Sequence, residues 1–119
     1  MKPLVIALAS LLGIASSVNA QINIFSGFNN QPVGRITSDI SDNLNICNTY
    51  GIGGSAYSTY SIYSTMGING SQSSSWGAYN SYSNKPPYFY FKGEKYYITA
   101  NPSLNPAVHP DSLRAYVCK

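Results

Sequence analysis

Cys47 and Cys118 are the only cysteines in this chain of 119 residues, and a bond between them would hold the end of the chain against its middle. For the loop of about 71 residues that the bond would close, chain entropy predicts roughly 4 kcal/mol of stabilisation. The bond needs an oxidising compartment, so a predicted Cys47–Cys118 disulfide depends on export. Two free thiols or an intermolecular bridge are the alternatives.

Residues 1–20 have the pattern of a secretory signal peptide. Lys2 gives a positive start, the stretch from Leu4 to Ala15 is apolar, and Val18-Asn19-Ala20 places small residues before a cleavage point. The apolar run is too short to span a bilayer, and a short N-terminal core helix is the alternative. We predict a signal peptide over residues 1–20, one secreted, extracellular domain over residues 21–119, and no membrane span.

The composition of residues 21–119 favours strands and turns. Strand-favouring Val, Ile, Thr, Tyr, Phe and Trp number 33, whereas good helix formers number only 19. Gly, Ser, Asn and Pro together number 41, which is typical of short strands joined by tight turns. The same content would suit a disordered chain, but nine isoleucines and sixteen aromatic residues provide enough apolar surface for a core.

Two β-hairpins can be placed from local patterns. Ile22 and Ile24 alternate with polar neighbours, and residues 35–37 supply a partner strand across the turn at residues 27–32. Further along, two aromatic runs within residues 88–99 flank Gly93-Glu94. Glycine at the first central position predicts a type II′ turn at this second hairpin.

The rest of the chain is expected to complete a sandwich. We predict further strands over residues 56–65, 76–82 and 113–118, and a single helical turn over residues 109–112. The expected fold is all-β: a small antiparallel Greek-key β-sandwich of seven or eight short strands with one disulfide. The predicted core residues are Ile24, Ile46, Ile62, Phe89, Phe91, Ile98, Leu113 and Val117.

A weak internal repeat suggests a family. The triplet Ile24-Phe25-Ser26 is echoed further along the chain by Ile62-Tyr63-Ser64, and turns containing Gly34 and Gly70 follow the two triplets. The chain closes on Ser112-Leu113-Arg114-Ala115-Tyr116-Val117-Cys118. In these features it resembles the small secreted βγ-crystallin-like proteins of fungi. The resemblance implies Greek-key units of about 40 residues.

The same resemblance carries an expectation about calcium. The family's calcium loop has two adjacent Asn or Asp residues, two variable residues, and then Ser/Thr-Ser. Asn29-Asn30 and Asp42-Asn43 are not followed by these hydroxyl residues, so the resemblance implies absent or weak calcium binding. Two-cysteine β-sandwich effectors secreted by plant-pathogenic fungi are a second similar group, by size, export and single disulfide.

Residues able to catalyse reactions or hold metals are scarce. A zinc site needs three or four His, Cys or carboxylate ligands, and His109 is the only histidine. We predict no enzymatic activity, no catalytic residue, no metal and no cofactor. A net charge of about +2 beyond residue 20 is too weak for a nucleic-acid partner. The alternative is a secreted hydrolase using two of the four carboxylates, which are Asp39, Asp42, Glu94 and Asp111.

Tyrosines provide the remaining pattern. Tyr57, Tyr60 and Tyr63 recur every three residues, each followed by serine. On a strand, Tyr57 and Tyr63 would share one face and Tyr60 the other, so some would be exposed; core filling is the alternative. Tyrosine beside serine and asparagine is typical of recognition surfaces. The predicted binding surface is Tyr57, Tyr60, Tyr63, Trp76, Tyr79 and Tyr82, with a basic fringe of Lys85, Lys92 and Lys95.

Together these features predict a small secreted binding protein without enzymatic activity, of the fungal effector or toxin-like kind. Its partner would be a host or competitor surface component, either a protein or a cell-wall glycan. The sequon Asn69-Gly70-Ser71 predicts glycosylation of an exposed Asn69. An extracellular or cell-wall structural protein is the main alternative, and it would self-associate without a specific ligand.

Overall fold

Five strands form one mixed sheet in the computed structural model, which describes residues 21–118. The elements are β1 (Gln21–Phe25), β2 (Pro32–Thr37), β3 (Tyr88–Phe91), β4 (Glu94–Ile98), β5 (Ala107–Val108) and helix α1 (Pro110–Val117). The strand order is β2-β1-β3-β4-β5, and only the β4–β5 pair is parallel. The β-rich fold is therefore confirmed. The described residues contain one sheet, so a sandwich of seven or eight strands is not confirmed. The predicted signal peptide lies outside them.

The first predicted hairpin is present. Strands β1 and β2 pair antiparallel with Ile22 opposite Ile36, and Ile22 and Ile24 are buried while Asn23 between them is exposed. This alternation is the period-two pattern that the sequence shows. The loop between the strands is closed by the backbone N–H of Ser26, which donates to the carbonyl oxygen of Gln31 at 2.9 Å.

The second predicted hairpin is also present, with a different turn. Strands β3 and β4 are joined by Lys92 and Gly93, whose φ angles are 53° and 79°. Positive φ at both central residues identifies a type I′ turn, so the predicted type II′ turn is wrong. Glu94 is the first residue of β4 and not a turn residue.

Residues 38–85 form what we call the turn ribbon. Apart from one isolated bridge at Asn45, these residues contain neither helix nor strand, so the predicted strands over residues 56–65 and 76–82 are wrong. The backbone instead makes successive β-turns at steps of three residues. The N–H of Asn45 donates to the carbonyl oxygen of Asp42 at 3.0 Å, and the N–H of Asn48 donates to that of Asn45 at 2.9 Å.

Polar side chains stabilise these turns. The first residue of a turn is often Asp, Asn or Ser, and its side-chain oxygen accepts from the backbone N–H two residues later. Ser61 Oγ accepts from Tyr63 N–H at 2.9 Å, and Ser74 Oγ accepts from Trp76 N–H at 3.1 Å. The same bond recurs from residue 39 to residue 82. Side chains in the ribbon therefore replace the partner strand of a sheet.

The turn ribbon is built from three repeats of equal length. Residues 38–53, 54–69 and 70–85 are the three copies, in which most equivalent positions have similar burial. Ile46, Ile62 and Ala78 occupy the buried position, each with no exposed surface, while Tyr50, Met66 and Tyr82 occupy a position at least 86% exposed. The internal repeat predicted from the sequence does not join equivalent segments, because Ile24-Phe25-Ser26 begins on β1 whereas Ile62-Tyr63-Ser64 lies in the ribbon.

A helix, not a strand, ends the described chain. Helix α1 has Pro110 at its first position, and the side chain of His109 accepts from the N–H of Asp111 at 3.1 Å. These are features of a helix start. The predicted strand over residues 113–118 is wrong because its apolar residues also fit a helix, in which Leu113 and Val117 lie one turn apart on the core side. In residues 21–118 no helix has the length and apolar character needed to cross a bilayer.

Helix α1 holds the ribbon through one equivalent residue of each repeat. Cys47 of the first repeat forms the predicted disulfide with Cys118, which is thereby confirmed. Tyr63 of the second repeat donates its hydroxyl to the carbonyl oxygen of Pro110 at 2.8 Å. Tyr79 of the third repeat donates its hydroxyl to Asp111 Oδ1 at 2.6 Å.

The core joins the sheet to the ribbon. Seven of the eight predicted core residues are buried, and Val117 is partly buried against them. Polar side chains are also buried, which no pattern in the sequence predicted. Asn45 and Ser61 have no exposed surface, and both are hydrogen-bonded, as buried polar groups must be.

Candidate functional site

An open groove lies between the β1–β2 loop and the second repeat of the ribbon. Its volume is about 640 Å³, within the range of small-ligand sites. The rings of Phe28 and Tyr60 are 50% and 60% exposed and stand on its two walls. Asn29 and Gln31 add amide groups from the loop side. The groove therefore offers apolar rings and hydrogen-bonding groups together.

The floor of the groove is fixed by hydrogen bonds. Ser26 Oγ donates to Asn69 Oδ1 at 2.6 Å, and Asn69 Nδ2 donates to the carbonyl oxygen of Tyr60 at 2.9 Å. This connection ties the β1–β2 loop to the ribbon and fixes the spacing of the groove walls. Asn69 is 4% exposed, so its predicted exposure is wrong. Its Gly- and Ser-rich surroundings form tight turns that enclose the side chain.

Phe28 also connects the groove to a second opening. Its ring meets Trp76 edge to face, with 4.7 Å between ring centroids. Trp76, Tyr82 and Lys85 line an open cavity of about 430 Å³, together with the amide of Asn84. We call this opening the side cavity. Phe28 lines the groove and Trp76 lines the side cavity, so the contact between the two rings links the two openings.

The structure divides the predicted binding surface. Tyr60 lies in the groove, and Trp76 and Tyr82 lie in the side cavity. Tyr57 is 94% exposed but lines neither. Tyr63 is buried and Tyr79 is partly buried, both beneath α1. Their placement on one surface with Tyr57 and Tyr60 is wrong, because it assumed a strand where the chain makes turns.

The predicted basic fringe is divided as well. Lys85 lines the side cavity, whereas Lys92 and Lys95 belong to the β3–β4 hairpin. Lys95 Nζ lies 4.2 Å from the ring centroid of Tyr88, and Lys92 Nζ lies 5.5 Å from that of Phe91. These are cation–π distances. Two of the three lysines therefore contact rings of their own hairpin and line neither opening.

Sequence reasoning missed Phe28. It lies in the segment Gly27-Phe28-Asn29-Asn30, which the composition marks only as a turn. Phe28 is a large aromatic residue in a polar loop, where a core contact is not expected. That position was the one indication in the sequence that it belongs to a binding surface. The loop is anchored from the sheet side by Tyr88, whose hydroxyl donates to Asn30 Oδ1 at 2.7 Å.

The carboxylates of the hydrolase alternative lie apart from both openings. Asp42 forms an ion pair with Arg35 at 3.2 Å, and Asp111 Oδ2 lies 3.9 Å from His109 Nδ1 on the exposed start of α1. Hydrogen bonds from the hydroxyl and N–H of Ser41 hold the pKa of Asp39 below its ordinary value. None of the four carboxylates lines the groove or the side cavity. Among residues 21–118, no three His, Cys, Asp or Glu side chains are placed to hold a metal.

A scan against protein-family models, a search of curated proteins and a search of solved structures each found no match. The geometry and chemistry of the site therefore provide the evidence about function, because a fold alone does not define it.

Proposed function

We propose that this chain is a small, secreted, non-enzymatic protein of the effector or toxin-like kind that binds a glycan of a host or competitor cell wall. The observation that carries the proposal is the contact between half-exposed Phe28, which lines the groove, and partly buried Trp76, which lines the side cavity. A ligand that crosses this pair would fill the groove and the side cavity together. An extended chain of linked rings has that shape.

The chemistry of the surface fits a sugar chain. One face of a sugar ring is largely C–H and packs on flat aromatic groups, while its hydroxyls need hydrogen-bond partners. Phe28, Trp76 and Tyr60 supply the rings. Gln31 in the groove and Asn84 in the side cavity supply amides, which both donate and accept. A hydrogen-bonded floor keeps the walls at a fixed separation, which lowers the entropy lost on binding.

The charge of the surface favours a neutral ligand for this site. Lys85 is the one charged residue among those that line the groove and the side cavity. A net charge of about +2 for residues 21–119 gives little long-range steering. Affinity would therefore come from short-range contacts, and salt should change it only slightly.

Retention on insoluble cell-wall glycans tests the proposal. Phe28→Ala and Trp76→Ala, made separately, should each weaken retention about tenfold or more, because each removes one half of the central aromatic pair. Tyr57→Ala is the matched control, since Tyr57 is exposed and lies outside both openings. Near-wild-type retention of both folded variants, or equal losses in the control, would contradict the proposal.

The structural-protein alternative predicts a different result. A cell-wall structural protein would self-associate as its concentration rises and would show no dependence on Phe28 or Trp76 in glycan retention. Light scattering over a concentration series distinguishes the two functions. Concentration-dependent assembly without glycan retention would favour the structural role.

The resemblance to βγ-crystallin-like proteins, with the Greek-key sandwich that it implies, stays a prediction. Its two triplets fall in different parts of the fold, one beginning on β1 and one in the turn ribbon. An experimental structure with a second sheet packed on the first would support the family. A single sheet in that experiment would argue against it.

A further inference from the structure

Arg114 on α1 is held in one position by the turn ribbon. Its Nη2 donates to the carbonyl oxygens of Ile46 at 2.8 Å and Gly54 at 2.6 Å. The guanidinium lies over the ring of Tyr63, with its central carbon 3.6 Å from the ring centroid. Neither the Arg35–Asp42 ion pair nor the His109–Asp111 contact within residues 21–118 involves Arg114. The group is thus pre-positioned by neutral partners, and its positive charge is not paired with a carboxylate of the described chain.

Beside this arginine is a third opening, which we call the arginine cavity. Its volume is about 410 Å³. The rings of Tyr63 and Tyr79 form apolar parts of its wall, and Ser71 and Gln72 add polar groups. The Nε of Arg114 is buried and has no hydrogen-bond partner. Nη2 uses both of its N–H groups on the two carbonyls and the buried Nε does not reach the cavity, so Nη1 is the nitrogen of Arg114 left to donate to a ligand there.

We infer that the arginine cavity binds the carboxylate of an acidic sugar, a uronic acid. Nη1 carries two N–H groups and shares the positive charge of the guanidinium, so it can donate a charge-assisted hydrogen bond to a carboxylate oxygen. The partly buried ring of Tyr79 suits the C–H face of the sugar ring, and the hydroxyl of Ser71 and the amide of Gln72 suit its hydroxyl groups. Because Arg114 is already fixed by two carbonyl bonds and a ring, little of its motion is lost on binding.

A nearby carboxylate limits the expected affinity of the arginine cavity for a uronic acid. Asp111 accepts a hydrogen bond from the Tyr79 hydroxyl at 2.6 Å, so one negative charge lies near the cavity without lining it. Its repulsion weakens the binding of an anion, and we expect a Kd in the millimolar range for a single uronic acid residue. The site is separate from the groove, so its test does not depend on the proposed glycan function.

The test uses galacturonate as the probe and galactose as its neutral counterpart. Arg114 is a poor first target because its bonds hold the ribbon, so the variants are placed at Gln72, an exposed residue of the same wall. Gln72→Glu should weaken galacturonate binding about threefold or more, because it adds a negative charge to the cavity wall. Gln72→Lys should strengthen binding by a similar factor, because it adds a positive charge there. Gln31→Glu makes the same charge change in the groove and should leave binding unchanged.

Titrations followed by backbone NMR shifts give the decisive outcomes. Binding of galacturonate with shifts at Arg114 and Gln72, no binding of galactose, and opposite effects of the two Gln72 variants would support the inference. No galacturonate binding at about 50 mM, equal binding of galactose, or equal losses in Gln31→Glu would overturn it. Inorganic sulfate is the last arm: if it displaces galacturonate at equal concentration, the site is a general anion site and the uronic acid assignment fails.

Discussion

The sheet and the turn ribbon satisfy the same backbone hydrogen-bonding requirement in two ways. In the sheet, strands such as β1 and β2 pair backbone with backbone. In the ribbon, the backbone folds on itself in steps of three residues, and side chains such as those of Asn45 and Ser61 bind the groups that remain. Since every buried N–H and C=O needs a partner, the ribbon depends on its side chains for what a strand obtains from its neighbour.

The two regions therefore also differ in their interiors. The sheet buries Ile24, Phe89 and Ile98 almost completely. Each repeat of the ribbon contributes one fully buried apolar side chain, Ile46, Ile62 or Ala78, at its equivalent position. Apolar burial is the main stabilising force in the sheet, whereas the ribbon combines a thin apolar line with hydrogen bonds and its junction with α1.

Removing the disulfide is expected to have the largest effect on stability, and to weaken the turn ribbon more than the sheet. Cys47→Ala together with Cys118→Ala should lower the free energy of unfolding by about 4 kcal/mol, because the bond closes a loop of 71 residues. Urea unfolding of the two proteins measures the loss. Amide hydrogen exchange locates it, and ribbon amides should lose protection before those of β1 and β3.

A uniform loss of protection in the disulfide variant would contradict this prediction. If amides of the ribbon and of the sheet lose protection together and to the same extent, the two regions form one cooperative unit. The proposed distinction in their stability would then be wrong, even if the total loss matches the expected value.

Replacing a buried ribbon asparagine is the next largest test. Asn45 Nδ2 donates to the carbonyl oxygens of Thr37 at 3.1 Å and Asp39 at 2.8 Å, and its Oδ1 accepts from Cys47 N–H at 2.9 Å. Asn45→Ala leaves three backbone groups without these partners and should cost about 2–3 kcal/mol in unfolding free energy. Thermal and urea unfolding provide the measurement.

The sheet supplies the control for this prediction. Asn23 is an exposed asparagine on β1, and Asn23→Ala should change the unfolding free energy by less than about 0.5 kcal/mol. Similar losses in Asn23→Ala and Asn45→Ala would show that the ribbon does not depend on its side-chain hydrogen bonds.

The same contrast explains which parts of the fold could be predicted. The hairpins follow an alternation of two residues, which is visible in Ile22-Asn23-Ile24 and in the aromatic runs of β3 and β4. The ribbon follows a spacing of three. That spacing is present in Tyr57, Tyr60 and Tyr63, but the β-propensity of these residues favours a strand. The serines at the first positions of the turns, whose side chains accept hydrogen bonds from the backbone, were the signal for turns instead.

The site was found in part for the same reason. Aromatic residues could be selected by composition, and Tyr60, Trp76 and Tyr82 among them line the openings. Their spatial grouping depends on the turns and on a contact between Trp76 and Phe28, which lies far earlier in the chain. A pairing across such a distance leaves no local pattern in one sequence, whereas the two cysteines could be paired because no other partner exists.

The smallest expected effect concerns the junction of the ribbon with α1 at alkaline pH. Burial raises the pKa of the Tyr63 hydroxyl, although the Arg114 charge opposes the shift. Burial and the hydrogen bond to Asp111 raise the pKa of the Tyr79 hydroxyl. An unfolded tyrosine ionises at about pH 10, so the folded state binds these protons more tightly. The stabilisation is complete below that pH and is lost as the pH rises above it.

For Tyr63, whose side chain is buried, the expected loss is about 1 kcal/mol between about pH 9 and about pH 10.5. Urea midpoints across this range measure it. Tyr63→Phe removes the group, so this variant should be less stable than wild type at about pH 8 yet show a shallower decline with pH. Tyr57→Phe is the matched control, because Tyr57 is 94% exposed, and it should decline as wild type does. Lysine ionisation is common to all three proteins, so parallel curves for wild type and Tyr63→Phe would show that this buried hydroxyl does not link the ribbon's stability to pH.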